Sequence, residues 1–223
     1  MKGRRIIAVT LGIVCILIIF VVLLLTLFFQ EHHGLPLSHK EVKELTQKAE
    51  RGDREACYRL SVYYVEDEQK TLYWLRKGAA YGDPRAEYGL YGILKKQPGS
   101  QEEAIELLKK AAVQEYEFAQ WVLGRSYRDG DIVVRDLKQA KYWFRRAANN
   151  GETSAMLDLS KLLTEMHKDK VGLSEAYKWS ALALSQSDQK SVFANEVRQQ
   201  QIAIIEKAKG LGFDKFTLSG KKE

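Results

Sequence analysis

The chain has 223 residues, of which 29% are charged, and its net charge is +6. Three of these positive charges lie in the first five residues. The remaining surplus is too small for a nucleic-acid-binding domain. There are two cysteines, and Cys15 lies in an apolar run, so no intrachain disulfide is expected and Cys57 is predicted to be a buried thiol.

The first predicted element is a membrane anchor. Residues 6–29 form a run of 24 residues without a charge. A helix over this run reaches ~36 Å, enough to cross a hydrocarbon core of ~30 Å. The competing interpretation is a cleaved signal peptide, but its apolar region is shorter and ends in small residues. We predict an uncleaved transmembrane signal anchor at 6–29, with residues 1–5 in the cytoplasm because Lys and Arg are concentrated there.

A short tether at 30–37 is followed by a helix that opens with a capping box of Ser38 and Glu41. A second capping box is predicted at Ser100 and Glu103. The apolar periodicity predicts further helices at about 53–66, 70–80, 84–96, 101–113, 116–128, 136–149, 152–167, 173–186 and 189–209. We assign 38–187 to one repeat domain, 188–209 to a C-terminal capping helix and 210–223 to a tail.

A pattern of small and large apolar residues recurs four times in the predicted helices. An Ala and a Leu stand four residues apart, on one helical face, and the interval between equivalent alanines grows from 30 to 33 to 36 residues. The second helix of each pair carries Trp74, Leu107, Trp143 or Trp179. Self-similarity at this period predicts an all-α fold, a right-handed α-solenoid of about four helix pairs. The recurring pairs are Ala56/Leu60, Ala86/Leu90, Ala119/Leu123 and Ala155/Leu159.

Glycines mark the ends of the repeats. Gly82 and Gly151 fit the position after a helix C-terminus, where a positive φ favours glycine. Glu115 takes the same place in the second repeat, so a less sharply defined turn is expected there.

The stretch from Ala119 to Gly151 resembles the Sel1-like repeat, a relative of the tetratricopeptide repeat. It carries the Ala–Leu–Gly–Tyr order in its first helix, and the Ala, Trp and Ala–Ala positions in its second. The resemblance covers roughly residues 39–185. It implies a protein-binding scaffold, and it leaves the ligand open because the shared residues are packing residues.

In tetratricopeptide-type superhelices the first helix of each pair lines the concave surface, so the resemblance implies where a partner binds. The positions there are aromatic or basic, which suits an acidic, partly apolar protein segment. The alternative is that the rings are packing residues and the charges are solvated. Reversing Arg125 and Arg128 to Glu is expected to abolish binding without changing the melting temperature. The predicted site comprises Tyr58, Arg85, Tyr88, Lys95, Phe118, Trp121, Arg125, Arg128 and Lys161.

Nothing in the sequence indicates catalysis or a cofactor. The four histidines have no acidic or cysteine partners at the spacing of metal ligands, and no nucleophile, phosphate-loop or zinc-protease motif occurs. We therefore expect neither an enzyme nor a metal site. The histidines are His32, His33, His39 and His167.

An N-terminal anchor with a few repeats resembles the bacterial immunity proteins that protect a cell from phospholipase effectors of type VI secretion. The resemblance implies an inner-membrane protein with a periplasmic repeat domain that binds and neutralises a secreted toxic effector. An envelope adaptor or scaffold that organises a membrane protein complex is the alternative.

Overall fold

The computed structural model describes residues 37–213. The chain divides into two units, and the boundary between Gln47 and Lys48 falls inside the first described helix, α1 (His39–Glu50). This helix begins with the predicted capping box: the Ser38 amide donates to Glu41 Oε2 at 2.8 Å, and the Glu41 amide donates to Ser38 Oγ at 3.3 Å. Two backbone donors that the helix cannot satisfy are thereby paired.

The described part of the second unit is an all-helical solenoid in which each helix packs on the next along the chain. Each helix predicted between residues 38 and 209 is present, with ends within three residues of the expected ones. The last helix also contacts the one two positions before it. The helices are α2 (Arg54–Tyr63), α3 (Glu68–Ala80), α4 (Pro84–Leu94), α5 (Gln101–Val113), α6 (Glu117–Asp129), α7 (Leu137–Asn149), α8 (Thr153–Met166), α9 (Lys170–Gln186) and α10 (Val192–Gly210).

The predicted N-terminal segment, anchor and tether lie outside the described residues apart from Leu37, and so does the tail beyond Phe213. Within residues 37–213, no helix is long and apolar enough to cross a membrane.

The repeated Ala–Leu pairs form the core of the second unit. All eight side chains are buried, and most of them are fully so. The small Ala lets neighbouring helices approach, and the Leu fills the space beside it. Burying each Leu contributes about 2 kcal/mol. The core continues through two apolar clusters, one on α3–α7 and one on α7–α10.

Aspartates cap the N-termini of half of the ten described helices. At five N-caps a side-chain oxygen accepts a hydrogen bond from an amide in the first turn. The predicted capping box at Ser100 is wrong, because the Ser100 hydroxyl accepts no such bond. A turn in which the Ser100 amide donates to Gln97 O leaves its ψ at 8°, away from the extended conformation that capping requires. The capping residues are Asp53, Asp67, Asp83, Asp136 and Asp169.

The turn at Glu115 is as well defined as those at the repeat glycines, so that expectation is wrong. Glu115 adopts a φ of +67°, and its amide donates to Ala112 O at 3.2 Å, matching the Gly151 amide and Ala148 O at 3.1 Å. A left-handed residue with a side chain costs about 1–2 kcal/mol. Two contacts offset this cost: Arg146 pairs with the Glu115 carboxylate at 2.8 Å, and Asn150 donates to its carbonyl.

Candidate protein-binding face

The nine predicted site residues lie on or next to the first helices of the repeats, α2, α4, α6 and α8. On α6, Phe118, Trp121 and Arg125 stand at i, i+3 and i+7, so they share one side of the helix. On α4, Tyr88 and Lys95 are also seven residues apart, with Lys95 as the C-cap. We call the surface formed by the nine predicted site residues the first-helix face.

A row of aromatic rings runs along the first-helix face. Tyr116 contacts Tyr88 edge-on at 5.4 Å between ring centroids and contacts Phe118 at 5.5 Å, while Tyr88 also lies 6.0 Å from Tyr91. Burial raises the pKa of the Tyr116 hydroxyl to about 12 and raises the pKa of Tyr88 and Tyr91 as well. These hydroxyls therefore stay neutral at physiological pH. Phe118, at the end of the row, is 40% exposed.

Tyr116 and Tyr91 were absent from the predicted site. Tyr116 stands just before α6, at its N-cap, where the repeat alignment gives no helical position. Tyr91 is nearly fully buried and follows the repeat leucine Leu90 directly. The signal that could have found them is their aromatic character close to Tyr88 and Phe118.

Arg85 holds two carboxylates together. Its guanidinium contacts Asp83 Oδ2 at 2.6 Å and Glu55 Oε2 at 2.5 Å, and it lies 4.4 Å from the Tyr58 ring centroid. The Asp83 side chain is 1% exposed, so its charge needs this partner. The hydrogen bonds that the Arg85 guanidinium donates to Asp83 raise the pKa of Arg85 further above its already high value. Arg85 therefore joins α2 to the N-terminal end of α4.

Arg128 and Trp121 share one acceptor, Asp158 on α8. Arg128 Nη1 lies 3.2 Å from Asp158 Oδ1, and Trp121 Nε1 donates to Asp158 Oδ2 at 2.7 Å. Arg128 also pairs with Asp129 at 2.7 Å, a hydrogen bond that lowers the pKa of Asp129. Because Arg128 joins α6 to α8, we expect its reversal to lower stability, which revises the expectation that melting would be unchanged.

Lys161 also joins two helices, α8 and α10, through an ion pair. Its Nζ lies 2.6 Å from Glu196 Oε1 on α10. Three of the five predicted cations are thus paired with carboxylates of this chain, so the edge of the face is less basic than the sequence predicted.

Lys95 and Arg125 differ from the other three cations. Among residues 37–213, neither forms an ion pair with a carboxylate, and both are exposed. Lys95 Nζ lies 4.9 Å from the Tyr91 ring centroid, and the Arg125 guanidinium lies 5.3 Å from that of Trp121. Such cation–π contacts hold the charges in place and leave them able to bind an anion.

No group of three or more His, Cys, Asp or Glu within 37–213 could hold a metal ion. Cys57 is fully buried, and burial raises the pKa of its thiol. His167 ends α8 and lies 3.2 Å from Asp169 Oδ2. His32 and His33 lie outside the described residues.

Three segments of the chain, residues 54–83, 85–114 and 118–152, match the family model of the Sel1 repeat. A crystal structure of a Sel1 repeat protein from Oxalobacter formigenes has a TM-score of 0.63 and 26% identity, covering 72% of this chain and 49% of that one. A protective antigen with an SLR fold from uropathogenic Escherichia coli has a TM-score of 0.61 and 20% identity, covering 87% of this chain and 47% of the antigen.

An uncharacterized protein from Neisseria meningitidis serogroup B is 31% identical over 147 residues, which is 63% of this chain and 30% of that protein. The chain spans less than half the length of each of these three relatives. The matched repeats agree with the pattern read from the sequence, and the likeness to the Escherichia coli antigen shows the fold alone.

Proposed function

We propose that this chain, in which residues 54–152 contain three Sel1 repeats, is a membrane-anchored protein-binding module that neutralises a secreted toxic effector. The carrying observation is the first-helix face, where an exposed Phe118 ends a row of rings beside the exposed cations Lys95 and Arg125. Aromatic residues and Arg supply most of the binding energy at protein interfaces.

The predicted anchor supports the immunity role. Residues 6–29 would hold the repeats at the periplasmic side of the inner membrane, where a phospholipase-type effector meets its lipid substrate. Tethering raises the effective concentration of the inhibitor at that surface. The mechanism would be occlusion: the first-helix face binds the effector in a 1:1 complex and separates its active site from the lipid.

A second candidate, an envelope adaptor, is favoured by the second helices. Tyr73 on α3 and Tyr142 on α7 are each about half exposed, and each ring lies edge-on to the Trp that follows it. Lys77 and Arg146 lie over these paired rings. This repeated aromatic surface lies on helices other than those of the first-helix face, and two binding surfaces would let one chain hold two partners.

The deciding experiment uses the full chain in detergent and purified type VI phospholipase effectors. Each effector is assayed on phosphatidylethanolamine–phosphatidylglycerol vesicles during titration with the chain. The immunity role is supported if one equivalent of the chain abolishes the phospholipase activity of an effector, with a nanomolar Kd. The Phe118→Ala variant should inhibit that effector more weakly. If no effector is inhibited and several envelope proteins bind with micromolar affinity, the adaptor is the correct function.

A further inference from the structure

Two cations of the first-helix face, Lys95 and Arg125, form no ion pair with a carboxylate of residues 37–213, and both lie near Tyr91. Lys95 Nζ lies over Tyr91, and Arg125 is close enough to lower the pKa of the Tyr91 hydroxyl against the effect of burial. The two charges come from different repeats, α4 and α6, and neither is used to join them. We call Lys95, Arg125 and the Tyr91 ring the positive patch of the first-helix face.

The position of a side chain at Gly92, three residues before Lys95, is open. A Cβ built on Gly92 would meet no atom within 4 Å, and Gly92 stands between Tyr88 and Lys95 on the same side of α4. Gly89, one turn earlier, is different, because a Cβ there would lie 2.8 Å from Leu75 Cδ2. A small residue at 92 is therefore not required by helix packing, and it leaves room for a side chain from outside.

We propose that Lys95 and Arg125, with the opening at Gly92, accept one carboxylate side chain of the bound protein segment, and that an apolar neighbour of that carboxylate lies against Phe118. This assignment rests on the proposed protein-binding function and names the chemistry that its partner must present. The row of rings from Tyr91 through Tyr88 and Tyr116 connects the two positions.

The charges around the patch favour a single carboxylate over a phosphate group. Asp131 acts on the Tyr91 hydroxyl and Asp129 lies in the field of Arg125, so two acids limit the positive potential. A doubly charged phosphate would meet more of this repulsion than a singly charged carboxylate. A Glu or Asp side chain needs only one or two charge-assisted hydrogen bonds, which Arg125 and Lys95 can donate.

The test measures charge preference without any effector. Hexapeptides carrying one Glu flanked by Leu or Phe are compared with twins in which Gln replaces Glu, and the Kd of the full chain in detergent is measured by fluorescence anisotropy. The wild-type chain should bind the Glu peptides about tenfold more tightly. In a Lys95→Gln, Arg125→Gln double variant the ratio should fall to about one.

Matched variants separate this role from a general loss of charge or fold. Lys109→Gln removes an exposed cation on α5 and should keep the preference. Gly92→Leu fills the opening and should weaken binding of the Glu peptides about tenfold, with the melting temperature maintained. Gly210→Leu, at another open helical glycine, should leave binding unchanged.

The assignment is overturned if the wild-type chain binds the Glu and Gln peptides with equal affinity. It is also overturned if the chain binds neither series. A preference that survives in the double variant, or unchanged binding by Gly92→Leu, also overturns it. If such a result accompanies inhibition of a phospholipase, only the carboxylate subsite is lost. A tenfold preference without any inhibited effector supports the subsite and removes the immunity role.

Discussion

The first-helix face carries two kinds of cation. Arg85, Arg128 and Lys161 each contact a carboxylate 30 to 35 residues away, about one repeat along the chain. Lys95 and Arg125 instead lie over aromatic rings. The first kind joins neighbouring repeats, and the second leaves its charge available to a partner. Residues that occupy one face of a solenoid can therefore serve stability or binding, according to what the next repeat places beside them.

The largest effect should come from breaking the most buried pair. Arg85→Ala leaves the Asp83 carboxylate buried without its cation, and we expect a loss of about 3 kcal/mol in the free energy of unfolding. Urea denaturation followed by circular dichroism measures it. Lys95→Ala is the control and should change stability by less than ~0.5 kcal/mol. Equal effects of the two variants would contradict the division into two kinds of cation.

Charge reversals at Arg125 and Arg128, one turn apart on α6, compare the two kinds of cation on one helix. Arg128→Glu places a carboxylate beside Asp129 and Asp158, and we expect a loss of about 2 kcal/mol in the free energy of unfolding. Arg125→Glu should leave stability within ~0.5 kcal/mol and abolish the preference for Glu peptides. Thermal melts of the full chain in detergent, read beside the peptide affinities, check both parts. A stable Arg128→Glu variant would contradict the structural role of that side chain.

The sequence predicted the repeats well because their packing residues recur at a fixed period and face the same way. It also placed the aromatic and basic residues on one set of helices. It could not tell Arg128 from Arg125, because the distinction depends on Asp158, a residue of the next repeat at a position that carries no repeat signature. One signal was available: Glu55 and Arg85 occupy equivalent positions in consecutive repeats and carry opposite charges.

Buried acids can also be tested, because their contribution to the free energy of unfolding depends on pH. Glu87 on α4 is buried and accepts a hydrogen bond from Gln114 at 2.7 Å, and burial raises its pKa. A carboxyl whose folded pKa exceeds its unfolded value binds its proton more tightly when folded. The ionised form therefore lowers the free energy of unfolding as pH rises from the ordinary glutamate pKa of 4.5 through the folded pKa.

We accordingly expect Glu87→Gln to raise the melting temperature at pH 7, with the gain disappearing below about pH 4. Melts of both proteins across this range measure the difference. A variant that is less stable than wild type at pH 7 would mean that the charge of Glu87 is compensated, with Lys110 as the nearby cation.

The smallest effect concerns the opening itself. Gly92→Ala should raise the free energy of unfolding by about 0.5–1 kcal/mol, because a helical glycine is replaced where a Cβ meets nothing. Gly124→Ala should lower it by about 1–3 kcal/mol, since its Cβ would lie 2.6 Å from Phe144 Cδ1. Urea denaturation of the two variants gives opposite signs if the opening is real. If Gly92→Ala lowers the free energy of unfolding, the space at Gly92 is closed in solution. Gly92 would then leave no room for the carboxylate side chain of a partner.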